Sequence, residues 1–434
     1  MPISPAVPPE AHAAGGQSVR VRWAPWWLLA SVLLWPWPAP ANVAVAAGAI
    51  AVTSWLGLRR FRGGDALLSR EAWALSSALF FSYWLPQLFS CIGAVDGRRA
   101  LYEVLADLRF LPLVWLAAIA VHRGRDRRIV YAGIALIAAL WALDGLVQAL
   151  SGHSLGGAAN VEPGSGVIRI SGIFGAHHPH LGQALASLAA FPLGWAGRRL
   201  GSAGWLAAAA LIGAVVVLSG SRAAWLTFVL VLLLGGWRLL GWKRLLAACA
   251  VGALGIAALA AVFPNELHER IARSEALFAG GRDNLDVASN GRVRIWAAAL
   301  CMAREHPLTG VGVRGYRDAY AQCAPVMATP PPWGEGGALH AHQIVLEVLS
   351  ETGLIGLSLW LIGAALAIRA WRCADAPARA RAAMPALALA VTVFPLNTHL
   401  AFYSSFWGGA LLVLAGLYVG ALFGEEPPPA ATAA

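Results

Sequence analysis

HAHQIVLEVLSETGLIGLSLWLIGAALAIRAW, residues 340–371, decides how the rest of the chain is read. No charged residue occurs between Thr352 and Ile368. The apolar span it supports, 350–371, falls in the range of about 17–25 residues that a helix needs to cross a bilayer. Two histidines and two glutamates (His340, His342, Glu347 and Glu351) stand just ahead of it, so the same stretch carries a membrane signal and a cluster of ionisable groups. Similar apolar runs recur at 24–40, 41–58, 72–93, 107–122, 129–150, 180–197, 203–219, 223–240, 245–263, 384–400 and 403–423. Together they predict an all-α polytopic membrane protein with about twelve transmembrane helices. The composition agrees: 59% of the 434 residues are hydrophobic and 12% are charged. That is about half the charged fraction of a soluble domain, which excludes an ordinary soluble globular fold. Twenty tryptophans suit rings placed at membrane–water boundaries.

The net charge of +10 comes almost wholly from arginine, Lys243 being the only lysine. Its distribution reads as topology, not as a nucleic-acid surface, and no nucleic-acid partner is expected. With both termini cytoplasmic, the inner loops hold Arg59, Arg60, Arg62 and Arg70, then Arg123 to Arg128, Arg198 and Arg199, Arg238 to Arg244, and Arg369 to Arg381. The short outer loops hold only Arg98, Arg99, Arg109, Arg169 and Arg222. The expected order is therefore a disordered cytoplasmic N-terminus (1–22), transmembrane helices 1–9 (23–263), an extracytoplasmic loop domain (264–349), transmembrane helices 10–12 (350–423) and a cytoplasmic tail (424–434).

Within the loop domain, NELHERIARSEALF (265–278) reads as an amphipathic helix and GGRDNLDVASNGR (280–292) as turn-rich. A further helix is expected from a cap near Asn290 to just before Pro307, then a Gly-rich turn and another helix. Cys301 and Cys323 are the only cysteines in this segment, and they form a disulfide candidate if the compartment is oxidising.

The ionisable residues on the outer side form a group. His342 is read as beginning the helix, with His340, Glu347 and Glu351 along one face. An imidazole near its ordinary pKa suits a general base at neutral pH. Arg222, in LSGSRAAWL (218–226), sits in a very short outer turn and needs an anionic partner, a phosphate or a carboxylate such as Asp144 or Glu347. Arg292 and Arg294 lie near a helix start, where the dipole disfavours cations, so a jointly held anion would account for them. His180, in SGIFGAHHPHLGQALA (171–186), and His399, in FPLNTHLAFYSSFWGG (394–409), are candidate walls of the same cavity. No carboxylate or thiolate set completes a metal site around these histidines, and neither a metal nor another cofactor is expected.

HPLTGVGVRGY (306–316), followed by AHQIVLEVLSETGLIGLSLWL (341–361), resembles the signature of the O-antigen ligase and polymerase superfamily. There a Pro-Leu-x-Gly-x-Gly turn precedes a His-Asn pair and a helix bearing Glu-x-Gly. Here Gln343 replaces the asparagine. SGSRAAWL and FGAHHPHLGQALA are similar to the same superfamily, and FPLNTHLAFYSSFWGG resembles its ligase branch. The resemblance implies a GT-C-like glycosyltransferase of the bacterial inner membrane with a periplasmic active site. Its donor would be an undecaprenyl-diphosphate-linked glycan and its acceptor lipid A–core. His342 would be the base, Arg222 and Arg292 would bind the diphosphate, and His340, Glu347, Arg294, His180 and His399 would support them. An O-antigen polymerase, a protein O-oligosaccharyltransferase and a lipid-glycan transporter are the alternatives.

Overall fold

A computed structural model describes residues 21–62, 66–158, 160–161, 168–176, 180–262, 281–327, 330–331, 337–398 and 401–425. The chain is built from helices. In order they are α1 (Ala24–Leu33), α2 (Pro38–Phe61), α3 (Arg70–Ser90), α4 (Gly97–Asp107), α5 (Phe110–His122), α6 (Gly124–Ser151), α7 (Leu181–Leu188), α8 (Ala190–Leu218) and α9 (Arg222–Val262). Then come α10 (Arg282–Ala288), α11 (Arg292–Glu305), α12 (Tyr316–Cys323), α13 (Ile344–Cys373), α14 (Ala376–Thr392) and α15 (Ser405–Leu422). Two-residue strand pairs between α6 and α7 are the only sheet among the described residues.

Among the described residues, six helical stretches are long and apolar enough to cross a membrane: Pro38–Phe61, Gly97–His122, Gly124–Ser151, Ala190–Leu218, Ile344–Cys373 and Ser405–Leu422. Shorter apolar helices, Ala24–Leu33 and Arg222–Trp237, join them. The chain is thus an all-α, multi-pass membrane protein. Its bundle is assembled by α3 against α13, α5 against α15, α6 against α8 and α14 against α15. Two expected cytoplasmic turns are sharp breaks within continuous helical runs, at Gly201 in α8 and Gly241 in α9. The expected span 180–197 is divided between α7 and α8 at Ala189.

The described residues between 281 and 341 build a small core of their own. Ile295, Ala298 and Met302 of α11 pack on Tyr316 and Tyr320 of α12, with Val311, Ala338 and Ala341 closing it. Tyr316 donates to the Ile295 carbonyl at 2.7 Å, and Cys301 and Cys323 form a disulfide between α11 and α12. The stretch expected to be turn-rich contains α10, and α11 starts after Gly291 without a side-chain cap. The expected helix over 265–278, the N-terminal segment before residue 21 and the tail beyond 425 lie outside the described residues.

The start of α13 corrects the reading of its histidines. The helix begins at Ile344, because the Gln343 side chain turns back and accepts the Leu346 amide at 2.6 Å. His342 therefore precedes the helix, with a left-handed backbone (φ 52°), and helical pitch does not govern where it and His340 lie.

A second feature holds the insertion to the bundle. The helical run α13 breaks at Gly353 (φ 65°), and the turn 307–315 lies against that break. Val311 and Gly312 donate to the Ser350 and Glu351 carbonyls, and Leu354 and Ile355 donate to those of Pro307 and Leu308. A Cβ on Gly353 would stand 2.3 Å from the Leu308 carbonyl, and one on Gly310 2.3 Å from that of Glu351. Only hydrogen side chains permit so close an approach of two backbones. On its other side the turn is held by the end of α3, through Ser90 to the Val313 amide at 3.0 Å.

Candidate functional site

Ala338 and Ala341 are buried in the small core, which anchors the segment leading into α13. From that anchored segment the His340 and His342 rings meet, with centroids 3.8 Å apart and planes inclined at 44°. His340 Nε2 and His342 Nδ1 are buried without a hydrogen-bond partner among the described residues. Burial, and behind it the Arg292 charge, lower the pKa of His342 to about 3. Burial lowers that of His340 still more clearly, helped by His342, Arg314, Arg292 and Arg317 in that order. Both rings are consequently neutral at neutral pH, with a lone pair available on each.

Arg292 is the first residue of α11. Its Nη1 donates to the His342 carbonyl at 3.3 Å and to the Thr398 carbonyl. One guanidinium thus ties together α11, the histidine segment and the last loop before α15. Burial, and then the charge of Arg222, bring Arg292 down to about 10. Arg222, at the start of α9, donates from Nη1 to the Ala288 carbonyl at 2.8 Å, at the C-terminal end of α10. The structure therefore brings Arg222, Arg292, His342 and His340 into one cluster.

Arg294 does not join them. It is buried, and its Nε meets Asp286 Oδ2 at 2.6 Å while Asp286 Oδ1 accepts its amide at 2.9 Å. The expectation of an anion shared by Arg292 and Arg294 is corrected. Two residues apart on a helix, the side chains point to different faces, and Arg294 serves the α10–α11 junction. Glu347 is fully buried and accepts the Tyr403 amide at 3.3 Å, so it faces the backbone before α15. Glu351 accepts the Arg314 amide at 2.8 Å and caps the Gly-rich turn. His180 stacks on Phe406, with ring centroids 5.1 Å apart, and meets the edge of Trp407. His399, with His177 and His178, lies outside the described residues.

Sequence reading missed Arg314 and Arg317, whose charges bear on His340. The signal available was VRGYR, two arginines flanking a Gly-Tyr helix start, but it looks like any solvated loop. Also missed was a 1130 Å³ cavity between α3, α9, α13, α14 and α15. It is lined almost entirely by apolar groups, runs from Phe394, Pro395 and Phe402 to Arg372 and Tyr418, and has Trp360 in its wall. Its upper end adjoins the histidine segment, since Gln343 Nε2 donates to the Pro395 carbonyl at 3.0 Å.

The fold and the cluster define a class: a multi-pass helical membrane protein with guanidinium and imidazole groups gathered where the small core around α11 and α12 meets the bundle. Residues 207–361 match the family model described as O-Antigen ligase, so this part of the chain is similar to that family. No curated protein matches the chain. The matched stretch contains Arg222, Arg292, His340, His342 and the turn 307–315.

Proposed function

We propose that this protein transfers O-antigen polysaccharide from undecaprenyl diphosphate to a sugar hydroxyl of lipid A–core, on the periplasmic face of the bacterial inner membrane, with a GT-C-like topology of about twelve spans. The observation that carries the proposal is the direct link from Arg292 to the His342 carbonyl, beside Arg222. It sets an anion-binding group and a neutral imidazole side by side.

The chemistry follows from that pairing. Arg222 and Arg292 hold the diphosphate and counter the charge that grows on it as the glycosidic bond breaks. His342 takes the proton of the acceptor hydroxyl as its oxygen attacks the anomeric carbon from the opposite side, so the configuration inverts. In the free protein His342 is a weak base, first because it is buried and then because Arg292 faces it. A bound diphosphate neutralises that charge and raises the basicity of the ring only when donor is present. Guanidinium groups supply the charge compensation that a metal supplies elsewhere. The apolar cavity suits the polyprenyl chain, and its end beside Pro395 brings the lipid's diphosphate to the arginines.

The test is reconstitution in liposomes with a lipid-diphosphate glycan and, in separate arms, lipid A–core or a second lipid-linked glycan as acceptor. Transfer to lipid A–core that persists in EDTA is the expected result. Extension of the second lipid-linked glycan alone identifies a polymerase. His342→Ala is expected to lower kcat by about 10²–10⁴-fold with donor binding retained; normal transfer by that variant removes the imidazole from the reaction.

A further inference from the structure

The disulfide of the small core has an acidic neighbour. Cys301 lies in the second half of α11, and Cys323 is the last residue of α12. Glu305 follows Cys301 by four residues, about one helical turn, so the two share a face of α11. Side chains on a helix lean toward its N-terminus, which aims the Glu305 carboxylate back over the bond. Its Oε1 lies 3.6 Å from Cys301 Sγ and its Oε2 3.6 Å from Cys323 Sγ. A disulfide sulfur carries no hydrogen, so neither contact is a hydrogen bond, and the carboxylate straddles the two sulfurs as a bare charge. No cation is paired with Glu305 among the described residues. Cys323 is buried and Cys301 half-buried, so reagents reach the bond through Cys301, beside the exposed carboxylate.

Reduction of the bond brings negative charge to this place twice. A thiolate, its proton given up to water, attacks one sulfur; a mixed disulfide forms, and the other cysteine leaves as a thiolate that takes a proton from water. The second thiol of a dithiol reductant then displaces the first cysteine. Two electrons pass to the protein, Cys301 and Cys323 become thiols, and the dithiol becomes a disulfide. Cations beside a thiolate favour it, and an anion there does the opposite. Because Glu305 touches both sulfurs, it opposes the arriving thiolate and the departing one, whichever sulfur is attacked. The bond itself joins α11, which begins with Arg292, to α12, which follows the turn held against Gly353.

We propose that Glu305 is an electrostatic guard of the Cys301–Cys323 disulfide: it repels anionic thiols and keeps the link between α11 and α12 oxidised. This holds whatever reaction the arginine–histidine cluster carries out.

The test follows reduction of the full-length protein in a non-ionic detergent, with Cys91, Cys249 and Cys373 first blocked by N-ethylmaleimide. Thiols released from the disulfide are trapped with a maleimide-bearing polyethylene glycol and counted by band shift. Three reductants are compared: dithiothreitol, cysteamine, whose thiolate form has no net charge, and mercaptoethanesulfonate, whose thiolate form is a dianion. Glu305→Gln is expected to be reduced by dithiothreitol about fivefold faster than the wild type, the effect of one unit charge about 4 Å away in water. Sodium chloride at about 1 M should speed the wild type toward the variant and leave the variant unchanged. The wild type should prefer cysteamine to mercaptoethanesulfonate more strongly than Glu305→Gln does, and Glu305→Lys should shift the preference further toward mercaptoethanesulfonate. Equal rates of reduction in the wild type and Glu305→Gln overturn the inference. So does a faster Glu305→Gln whose gain is the same for all three reductants and insensitive to salt, because that is the mark of a loosened fold and not of a lost charge.

Discussion

Burial, and behind it the Arg292 charge, set the ionisation of His342, and the consequence can be measured. An ordinary histidine gains its proton near pH 6.5, but here burial and the neighbouring guanidinium hold the ring neutral down to about pH 3. The pKa is lowered in the folded protein, so the base stays unprotonated as pH falls through 6. For a reaction that depends on this ring, kcat/KM, which reports the free enzyme, is expected to show no acid limb between pH 5 and 8. If Arg292 binds the diphosphate as proposed, the kcat profile, which reports the donor-bound state, should fall at a higher pH, because the bound anion cancels the Arg292 charge. A kcat/KM limb centred near 6.5 would mean that the ring is solvated and unaffected by Arg292. On the alkaline side Arg292 begins to lose its charge near 10, and donor KM should rise there. Arg294 supplies the contrasting case. Asp286→Asn leaves it buried without its counter-ion, at a cost of about 3–5 kcal/mol seen as a lower Tm, whereas Asp286→Leu with Arg294→Met should recover much of the loss. Failure of the double replacement to recover stability would show that the pair does more than close the α10–α11 junction.

The unit that joins the small core to the helical bundle is one helix with a break and one turn fitted against it. Gly353→Ala combines a left-handed backbone, worth about 1–3 kcal/mol of strain for a residue with a side chain, with a collision against the Leu308 backbone. It should therefore lower Tm sharply and open the 307–315 turn to protease. Gly255→Ala, in α9 with nothing near its Cβ position, is the control expected to be neutral or mildly stabilising. Equal Tm values for the two would mean that the turn is not fastened at the break. The glycines of the turn mark it in the sequence, and hydropathy marks the apolar helices, a strong signal wherever a chain meets lipid, but nothing local marks the break at Gly353 or the fit of the turn against it. The start of α13 was not legible. Glutamine is not among the favoured capping residues, so nothing marked Gln343 as the boundary. The closeness of His340 and His342 depends on a positive φ at His342, which no local pattern signals in a residue other than glycine. Arg292 and Arg294 look alike in sequence and differ only in what the fold sets against them, a carbonyl pair for one and Asp286 for the other.

At the scale of the whole molecule, the question is what the bundle's cavity contributes to the proposed transfer from a polyprenyl diphosphate. Polyprenyl chains are already at home among lipid tails, so moving one from bilayer to protein yields little hydrophobic free energy. The contribution of the cavity must then be positional: a chain lying between α13, α14 and α15, which ends beside Pro395, presents its diphosphate where Gln343 and the histidine segment are fixed to the same loop. Effects of orientation of this kind appear more in the reactivity of bound donor than in gross membrane partition. Ala386→Trp or Ala390→Trp, which put an indole into the lined space, should reduce kcat/KM for a full-length polyprenyl donor about tenfold or more, while a donor with a prenyl chain too short to reach either position should be used by these variants as well as by the wild type. Acceptor KM should not change in either arm. If the short and long donors suffer alike, the indole has disturbed the bundle and the cavity does not guide the chain; if neither suffers, the lipid approaches the arginines by another face, and the link from cavity to site through Pro395 plays no part in the reaction.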